Sequence, residues 1–336
     1  MRTFGLDDNL DLVTVGAGPS ALVVLYAAKQ AGLEAVGIDK GPVCGALMAH
    51  PTYMRWFSTA DKLELPGLPL LTNEKNPTRR EYLKYCSAYV RHHNLAVNTY
   101  REVTAIEPES HGFTVSAKDM FGRAYYWRTR NVVACTGFYD SPRPLNVPGE
   151  DLPKVSHRYT EAHPYVDQDV LVVGAGSSAA ESALELWRAG ARVSVAMRSE
   201  RFHTKYWIEP DIENRIAEGS ITAYRPVEVS AIRPDEVELR GASGELTRIA
   251  NDFVLAMTGY TPDASLIEAV GAEVDAESGK PALNESYETT VPGLYVAGTL
   301  IAGVDSNVVF VENSREHGPA IVSHILSKTR TGAAVT

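Results

Sequence analysis

Two short stretches carry glycines at the spacing that lets a backbone close around a pyrophosphate. Asp11–Ala21 reads DLVTVGAGPSA and Asp169–Ala179 reads DVLVVGAGSSA, so the chain contains one unit twice. Both copies fit G-x-G-x-x-G/A: Gly16, Gly18, Pro19, Ser20 and Ala21 in the first, Gly174, Gly176, Ser177, Ser178 and Ala179 in the second. The first glycine allows the tight turn, the second lets the backbone approach the phosphates, and the small final residue lets helix and strand pack closely. Phosphate oxygens there meet the free N–H groups and positive dipole end of the helix.

The two copies differ in the charge that ends their second strand. Asp39 stands about 20 residues beyond the first turn, where a carboxylate accepts hydrogen bonds from an adenosine ribose. The corresponding place after the second turn holds Arg198, with Ser199 and Arg201 just beyond it. A carboxylate repels a 2′-phosphate, whereas a guanidinium clamps one with charge-assisted, two-pronged bonds. The first copy therefore suits FAD or NAD, and the second suits NADPH. Two bound dinucleotides imply electron transfer between them.

Each turn needs a strand before it and a helix after it. Leu12–Val15 and Val170–Val173 predict buried parallel strands. Ser20–Ala31 and Ser178–Ala189 predict helices that stop at Gly32 and Gly190, where a left-handed cap belongs. Second strands come next at Glu34–Ile38 and Arg192–Met197. Pro/Gly-rich stretches, Phe138–Pro153 and Gly259–Asp263, mark crossings into and out of an inserted domain. Val291–Val296 reads as one more strand and about Ser314–Leu326 as a final helix that returns to the first domain. The expected class is α/β, with two Rossmann-like dinucleotide-binding domains: a discontinuous FAD domain at 1–145 and 261–336, and an NADPH domain inserted at 146–260.

Composition bounds the rest. The 336 residues suit about two domains. A net charge of −10 with no basic tract lacks the footprint of a nucleic-acid binder. No apolar run reaches membrane-spanning length, and MRTFGLDDNLD has no signal-peptide core, which points to the cytoplasm. No metal-binding or serine-nucleophile signature occurs.

Thr136-Gly137 in VVACTGF and Thr258-Gly259 in VLAMTGY resemble the A-T-G turns of two-dinucleotide-domain flavoproteins, and VPGLYVAG at Val291–Gly298 resembles their second FAD signature. The order of parts is similar to low-molecular-weight thioredoxin reductase. Phe57-Ser58-Thr59, Pro77-Thr78-Arg79 and the F-x-E-N-x-R-x-H-G stretch at Phe310–Gly318 resemble the bacillithiol-disulfide (bacilliredoxin) reductases more closely. The resemblance implies FAD contacts at Gly16, Gly18, Pro19, Ser20, Asp39, Lys40, Phe57, Ser58, Val103, Thr136, Gly137, Gly298 and His317. It implies NADPH contacts at Gly174, Gly176, Ser177, Ser178, Arg198, Arg201, Thr258 and Gly259. It further implies a homo-oligomer, dimer or tetramer, and a small-molecule disulfide or other electron acceptor.

The chain departs from that pattern in its thiols. Val155–Gly259 holds no cysteine, which excludes the thioredoxin-reductase C-x-x-C relay. Ser20 stands where the bacillithiol branch commonly has a cysteine, and Gly298-Thr299 replaces the usual Gly-Asp, leaving Asp305 as the candidate aspartate. Cys86, on a Tyr82/Cys86/Tyr89 helical face, and Cys135, in an apolar strand, read as core. Cys44, in the turn GPVCG near the expected FAD, reads as packing or as a reactive thiol. His317 reads either as a helix-start histidine bonded to backbone or, through the resemblance, as a proton donor to a leaving thiolate. The leading reading is an NADPH-dependent FAD reductase of a small disulfide working without a protein dithiol. The alternatives are a flavin-dependent monooxygenase, whose F-x-G-x-x-x-H signature fails around His157, and a non-catalytic flavoprotein that senses NADPH.

Overall fold

The structure, a computed structural model, describes residues 9–305 and 308–333. They divide into two compact units: Tyr53–Ser141 and Tyr260 onward join the N-terminal residues through Met48 in one, and Ala49–Thr52 with Pro142–Gly259 form the other. The chain thus crosses between Ser141 and Pro142 and returns between Gly259 and Tyr260, a few residues from the expected boundaries. The excursion of Ala49–Thr52 has no sequence signal.

The first unit opens with β1 (Asn9–Val15), α1 (Pro19–Gln30) and β2 (Ala35–Ile38). Pro19 sits in the first turn of α1, where no N–H is needed, and Gly32 ends it at φ +76°. A one-turn α2 (Ala60–Leu63) precedes α3 (Arg79–His92). Thr78 and Glu81 close a reciprocal capping box at the start of α3, which gives the Pro77-Thr78-Arg79 segment a structural role. Next come β3 (Val97–Asn98), β4 (Glu102–Glu109), β5 (Gly112–Lys118) and the long β6 (Ala124–Ala134). The sheet runs β3-β2-β1-β6-β5-β4. β1 pairs parallel with β2 and β6, while β4, β5 and the first half of β6 form an antiparallel meander.

The second unit repeats the plan. It contains β7 (Val155–Ser156), β8 (Asp169–Val173), α4 (Ser177–Ala189), β9 (Arg192–Ala196), α5 (Glu209–Ala217), β10 (Thr222–Tyr224), β11 (Val227–Ile232), β12 (Glu236–Gly241), β13 (Leu246–Ala250) and β14 (Phe253–Ala256). An all-parallel sheet β10-β9-β8-β14-β7 is accompanied by the antiparallel ribbon β11-β12-β13. Gly190 caps α4 at φ +99°, as its place in the sequence predicts.

The chain then returns to the first unit through α6 (Ser265–Glu268), β15 (Leu294–Val296), α7 (Val311–Ser314) and α8 (His317–Ala333). Two expectations change here. The strand expected over Val291–Val296 begins only at Leu294, because Pro292 has no N–H to donate and Gly293 turns at φ +84°. The helix expected over Ser314–Leu326 is two helices, and the second runs on to Ala333. Pro319 fits the first turn of a helix but not its interior, so the break falls before His317. β15 pairs with β6 as a fifth parallel strand.

Strand alternation splits the first unit's core between the two sheet faces. Val133 and Tyr295 join Leu22, Leu25, Tyr82, Tyr89 and Ile321 on one face; Val132, Ala134, Leu294 and Val296 join Val13, Ile38 and Trp127 on the other. Among the described residues no helix is long and apolar enough to cross a membrane, and no His/Cys/Asp/Glu group could hold a metal ion.

Candidate functional site

The two glycine turns have the same local construction. Gly16 N donates to Ile38 O at 2.7 Å and Gly174 N donates to Ala196 O at 3.0 Å, each tying the turn to the end of the neighbouring parallel strand. Gly16 adopts φ +109° and Gly174 φ +134°, the left-handed region that favours glycine. A Cβ on Gly16 would lie 2.4 Å from Cys135 O, and one on Gly174 would lie 2.3 Å from Met257 O. The second glycines are different: a Cβ on Gly18 or Gly176 meets nothing within 4 Å. Each turn therefore faces open space at a helix N-terminus, over α1 in one unit and over α4 in the other. That is the form of a pyrophosphate cradle, and the residues fit a dinucleotide in both units.

Asp39 sits at the end of β2 against its own turn. Its Oδ2 accepts from Ala17 N at 2.7 Å and its Oδ1 from Gly41 N at 2.8 Å. Burial raises its pKa, while the two N–H donors and Lys40 oppose the rise. Each oxygen keeps a lone pair for a ribose hydroxyl. The Lys40 side chain pairs with Asp140 at 3.0 Å, and Val103 packs its side chain on the second core face, leaving only backbone to offer a cofactor. Thr136 Oγ1, just past the carboxyl end of β6, is buried and has no hydrogen-bond partner among the described residues, and Gly137 turns at φ +74°.

The C-terminal F-x-E-N-x-R-x-H-G stretch resolves into struts around the first turn. Ser58 Oγ donates to Glu312, and the neighbouring Phe57 is half exposed. Asn313 accepts from Phe310 N and donates to Val308 O. Arg315 reaches the carbonyls of Asp61, Lys62 and Glu64, satisfying the end of α2. Gly318 lets α8 press on α1: a Cβ there would lie 2.9 Å from the Val23 backbone. Ser20 Oγ donates to Ser314 Oγ at 2.9 Å, and a Cβ on Gly298 would lie 2.8 Å from that same Ser20 oxygen. Sequence reasoning singles out this stretch only as a resemblance. Ser314 and Glu312 carry no separate signal.

His317 opens α8 and is buried, at 6% exposure. Its Nδ1 accepts a hydrogen bond from Gly298 N at 3.1 Å, and its ring lies 4.3 Å from that of Tyr287. Burial lowers its pKa to about 4. Protonating Nδ1 would also set two N–H groups against each other. The imidazole is therefore neutral near pH 7 with its proton on Nε2.

All three cysteines are buried and free. Cys44 is at φ +55°, with Sγ 3.6 Å from Ala17 O behind the first glycine turn. Tertiary packing brings its thiol to that of Cys86, a neighbour no sequence spacing indicates, and their hydrogen bond with burial holds Cys44 well above the usual thiol range. Burial alone raises Cys135. Thiolates are the reactive form, so burial and raised pKa hold Cys44 and Cys135 back from nucleophilic chemistry.

In the second unit, Ser177 accepts from Thr204 Oγ1 at 3.1 Å, and His203 N donates to Ala175 O at 2.7 Å, pinning the turn from outside. Ser178 is exposed and its carbonyl accepts from Ser182 Oγ. Thr258 Oγ1 donates to Arg143 O at 2.6 Å, and Gly259 turns at φ +88°. Arg198 and Arg201 are exposed at the carboxyl end of β9, and no hydrogen bond or ion pair engages Arg198 among the described residues. An ion pair with no motif to announce it, Arg225 with Glu213, lies at the same end of the sheet.

Comparison with known proteins adds a lineage. The family model described as pyridine nucleotide-disulphide oxidoreductase matches residues 13–298. The bacilliredoxin reductase Bdr of Bacillus subtilis is 37% identical over 321 residues, which is 94% of this chain and 97% of the relative. The solved bacillithiol disulfide reductase Bdr of Bacillus cereus superposes with a TM-score of 0.93 at 34% identity, covering 96% of this chain and all of that one. That of Staphylococcus aureus superposes at 0.90 and 35% identity, covering 96% and 99%. The T. acidophilum thioredoxin reductase, at 0.74 and 19%, shares the fold.

Proposed function

The chain belongs to the pyridine nucleotide-disulphide oxidoreductase family, a flavoprotein disulfide reductase-like oxidoreductase using a flavin and a nicotinamide cofactor, and from that premise we propose that it is an NADPH-dependent FAD reductase of a small bacillithiol-like disulfide. One observation carries the reading: two turns of the same geometry end on opposite charges, a bonded carboxylate at Asp39 and an unengaged guanidinium at Arg198. The first unit would hold FAD through Gly16, Gly18, Asp39 and Thr136. The second would hold NADPH through Gly174, Gly176, Arg198 and Arg201. The cofactors, once bound, supply the hydride chemistry; the protein supplies position and electrostatics.

Three buried thiols and a serine at position 20 support acceptor reduction with no protein-disulfide intermediate. His317 would act as a neutral Nε2–H donor, fixed in that tautomer by Gly298 N, holding the proton at a set place beside the flavin site. His317→Ala should then slow flavin reoxidation by acceptor more than its reduction by NADPH.

The test is anaerobic turnover of FAD-loaded protein with NADPH and, in separate arms, bacillithiol disulfide, glutathione disulfide and an oxidised bacilliredoxin. Turnover of the first well above the second supports the reading. Reduction of the bacilliredoxin alone would replace the small disulfide with a protein acceptor. Failure of NADPH to bleach the flavin would end the assignment.

A further inference from the structure

The second unit carries a charged groove that the glycine turn does not explain. A cavity of about 540 Å³ is lined by Glu200, Arg201, Glu209, Glu213 and Arg225. It lies at the carboxyl end of the parallel strands, the end at which open α/β sheets bind ligands. The backbone places Arg225 beside the end of β9. Met197 N donates to Tyr224 O at 3.1 Å and Val227 N donates to Met197 O at 2.9 Å, so Arg225 and Pro226 flank the residue that precedes Arg198.

Arg225 meets Glu213 on α5 in a two-pronged pair, Nη1 to Oε1 at 2.8 Å and Nη2 to Oε2 at 2.9 Å. Both side chains are largely covered, at 23% and 32% exposure. The wider field is shared: Glu213 also feels Arg201, and Arg225 also feels Glu200. Three carboxylates, Glu200, Glu209 and Glu213, therefore line the groove together with Arg201, which follows Arg198 by three residues. Unneutralised, they would oppose a 2′-phosphate bound at that rim by like-charge repulsion.

We propose that Arg225 is a specificity-determining residue for the phosphorylated nucleotide: by holding Glu213 in a two-pronged ion pair, it keeps the Arg198–Arg201 rim from repelling a 2′-phosphate. This rests on the assignment of NADPH to the second unit. Arg225 acts through Glu213 and is a positioning residue in that sense.

The experiment is kcat/KM for NADPH and for NADH in FAD-loaded wild type, Arg225→Gln, Glu213→Gln and the double variant. Arg225→Gln should lower the NADPH/NADH ratio by roughly ten-fold, the effect of one like-charge contact left uncompensated. Removing the exposed carboxylate as well should restore most of the ratio, and Glu213→Gln alone should keep it. A pair that merely braces α5 against β10 predicts otherwise: both nucleotides suffer equally and the second substitution rescues nothing. A wild type selective for NADPH whose ratio survives Arg225→Gln overturns the inference alone. A wild type with no selectivity overturns the NADPH assignment and the inference with it.

Discussion

The two glycine turns are built alike yet have different surroundings. Both first glycines sit at positive φ within 2.4 Å, by Cβ, of a carbonyl just past the end of the strand across the turn. Around the first, the chain has closed in: Asp39 is bonded twice, Ser20 is tied to Ser314, and α8 presses on α1 at Gly318. Around the second, the helix start and Arg198 face solvent. A cofactor that stays needs a site whose donors and acceptors are already ordered. One that must leave each turnover is better served by exposed, rapidly made charge contacts. The same supersecondary unit can serve either purpose, and its neighbours decide which.

The largest expected effect breaks the likeness at its base. Gly16→Ala should destabilise the first unit by about 3 kcal/mol or more, through backbone strain and a clash with Cys135 O, and should purify without FAD. Gly174→Ala carries the same strain but should keep its flavin absorbance while losing reduction by NADPH. Equal flavin loss in both variants would mean the turns are not separate sites.

The opposed charges sharpen the comparison next. A two-pronged guanidinium–phosphate contact is worth on the order of 1.5–3 kcal/mol, roughly ten- to a hundred-fold. Arg198→Ala should lose most of that NADPH preference in kcat/KM and keep its FAD. Asp39→Asn should do the reverse, loosening FAD in equilibrium dialysis while leaving the nucleotide ratio alone.

An effect that appears only as pH falls belongs to the first region alone. His317 has a folded pKa of about 4, below the ordinary histidine value near 6.5. The unfolded chain takes up the proton first, so the stabilisation is complete above pH 6.5 and is lost as pH falls towards 4. The loss should amount to about 3 kcal/mol at most across that window. Urea midpoints measured from pH 7 to 4 should fall less steeply in His317→Gln, which can still accept from Gly298 N.

The smallest effect is on catalysis by the thiols. With Cys44 held protonated by its hydrogen bond to Cys86 and by burial, and Cys135 by burial, Cys44→Ser should keep NADPH-dependent acceptor turnover close to wild type once loaded with FAD. Collapse of turnover in that folded variant would restore a single-cysteine mechanism.

Much of the architecture is legible in the sequence because it obeys local rules. The β-branched runs, the glycine spacing and the positive-φ stops at Gly32 and Gly190 each act over a few residues, and both βαβ units lie within three residues of their expected bounds. The C-terminal part is less legible. Pro292 and Pro319 shorten the strand and split the helix, since a residue without an N–H edits elements that apolar pattern alone would extend. Asp39 and Arg198, the opposed charges at the ends of β2 and β9, can be named from spacing. The thiol contact of Cys44 with Cys86 cannot, because it joins residues from a turn and from α3 that only packing brings together.

What the sequence by itself determined is the set of parts whose physics is local: two strand–turn–helix units, a carboxylate ending one and a guanidinium ending the other. Tertiary structure alone decided the rest: that His317 is neutral with Nδ1 occupied, that Ser20 is bonded to a residue nearly three hundred positions away, and that Glu213 is covered by Arg225. Protonation and charge compensation depend on burial and on which group faces which across the fold, and no sequence interval encodes that distance.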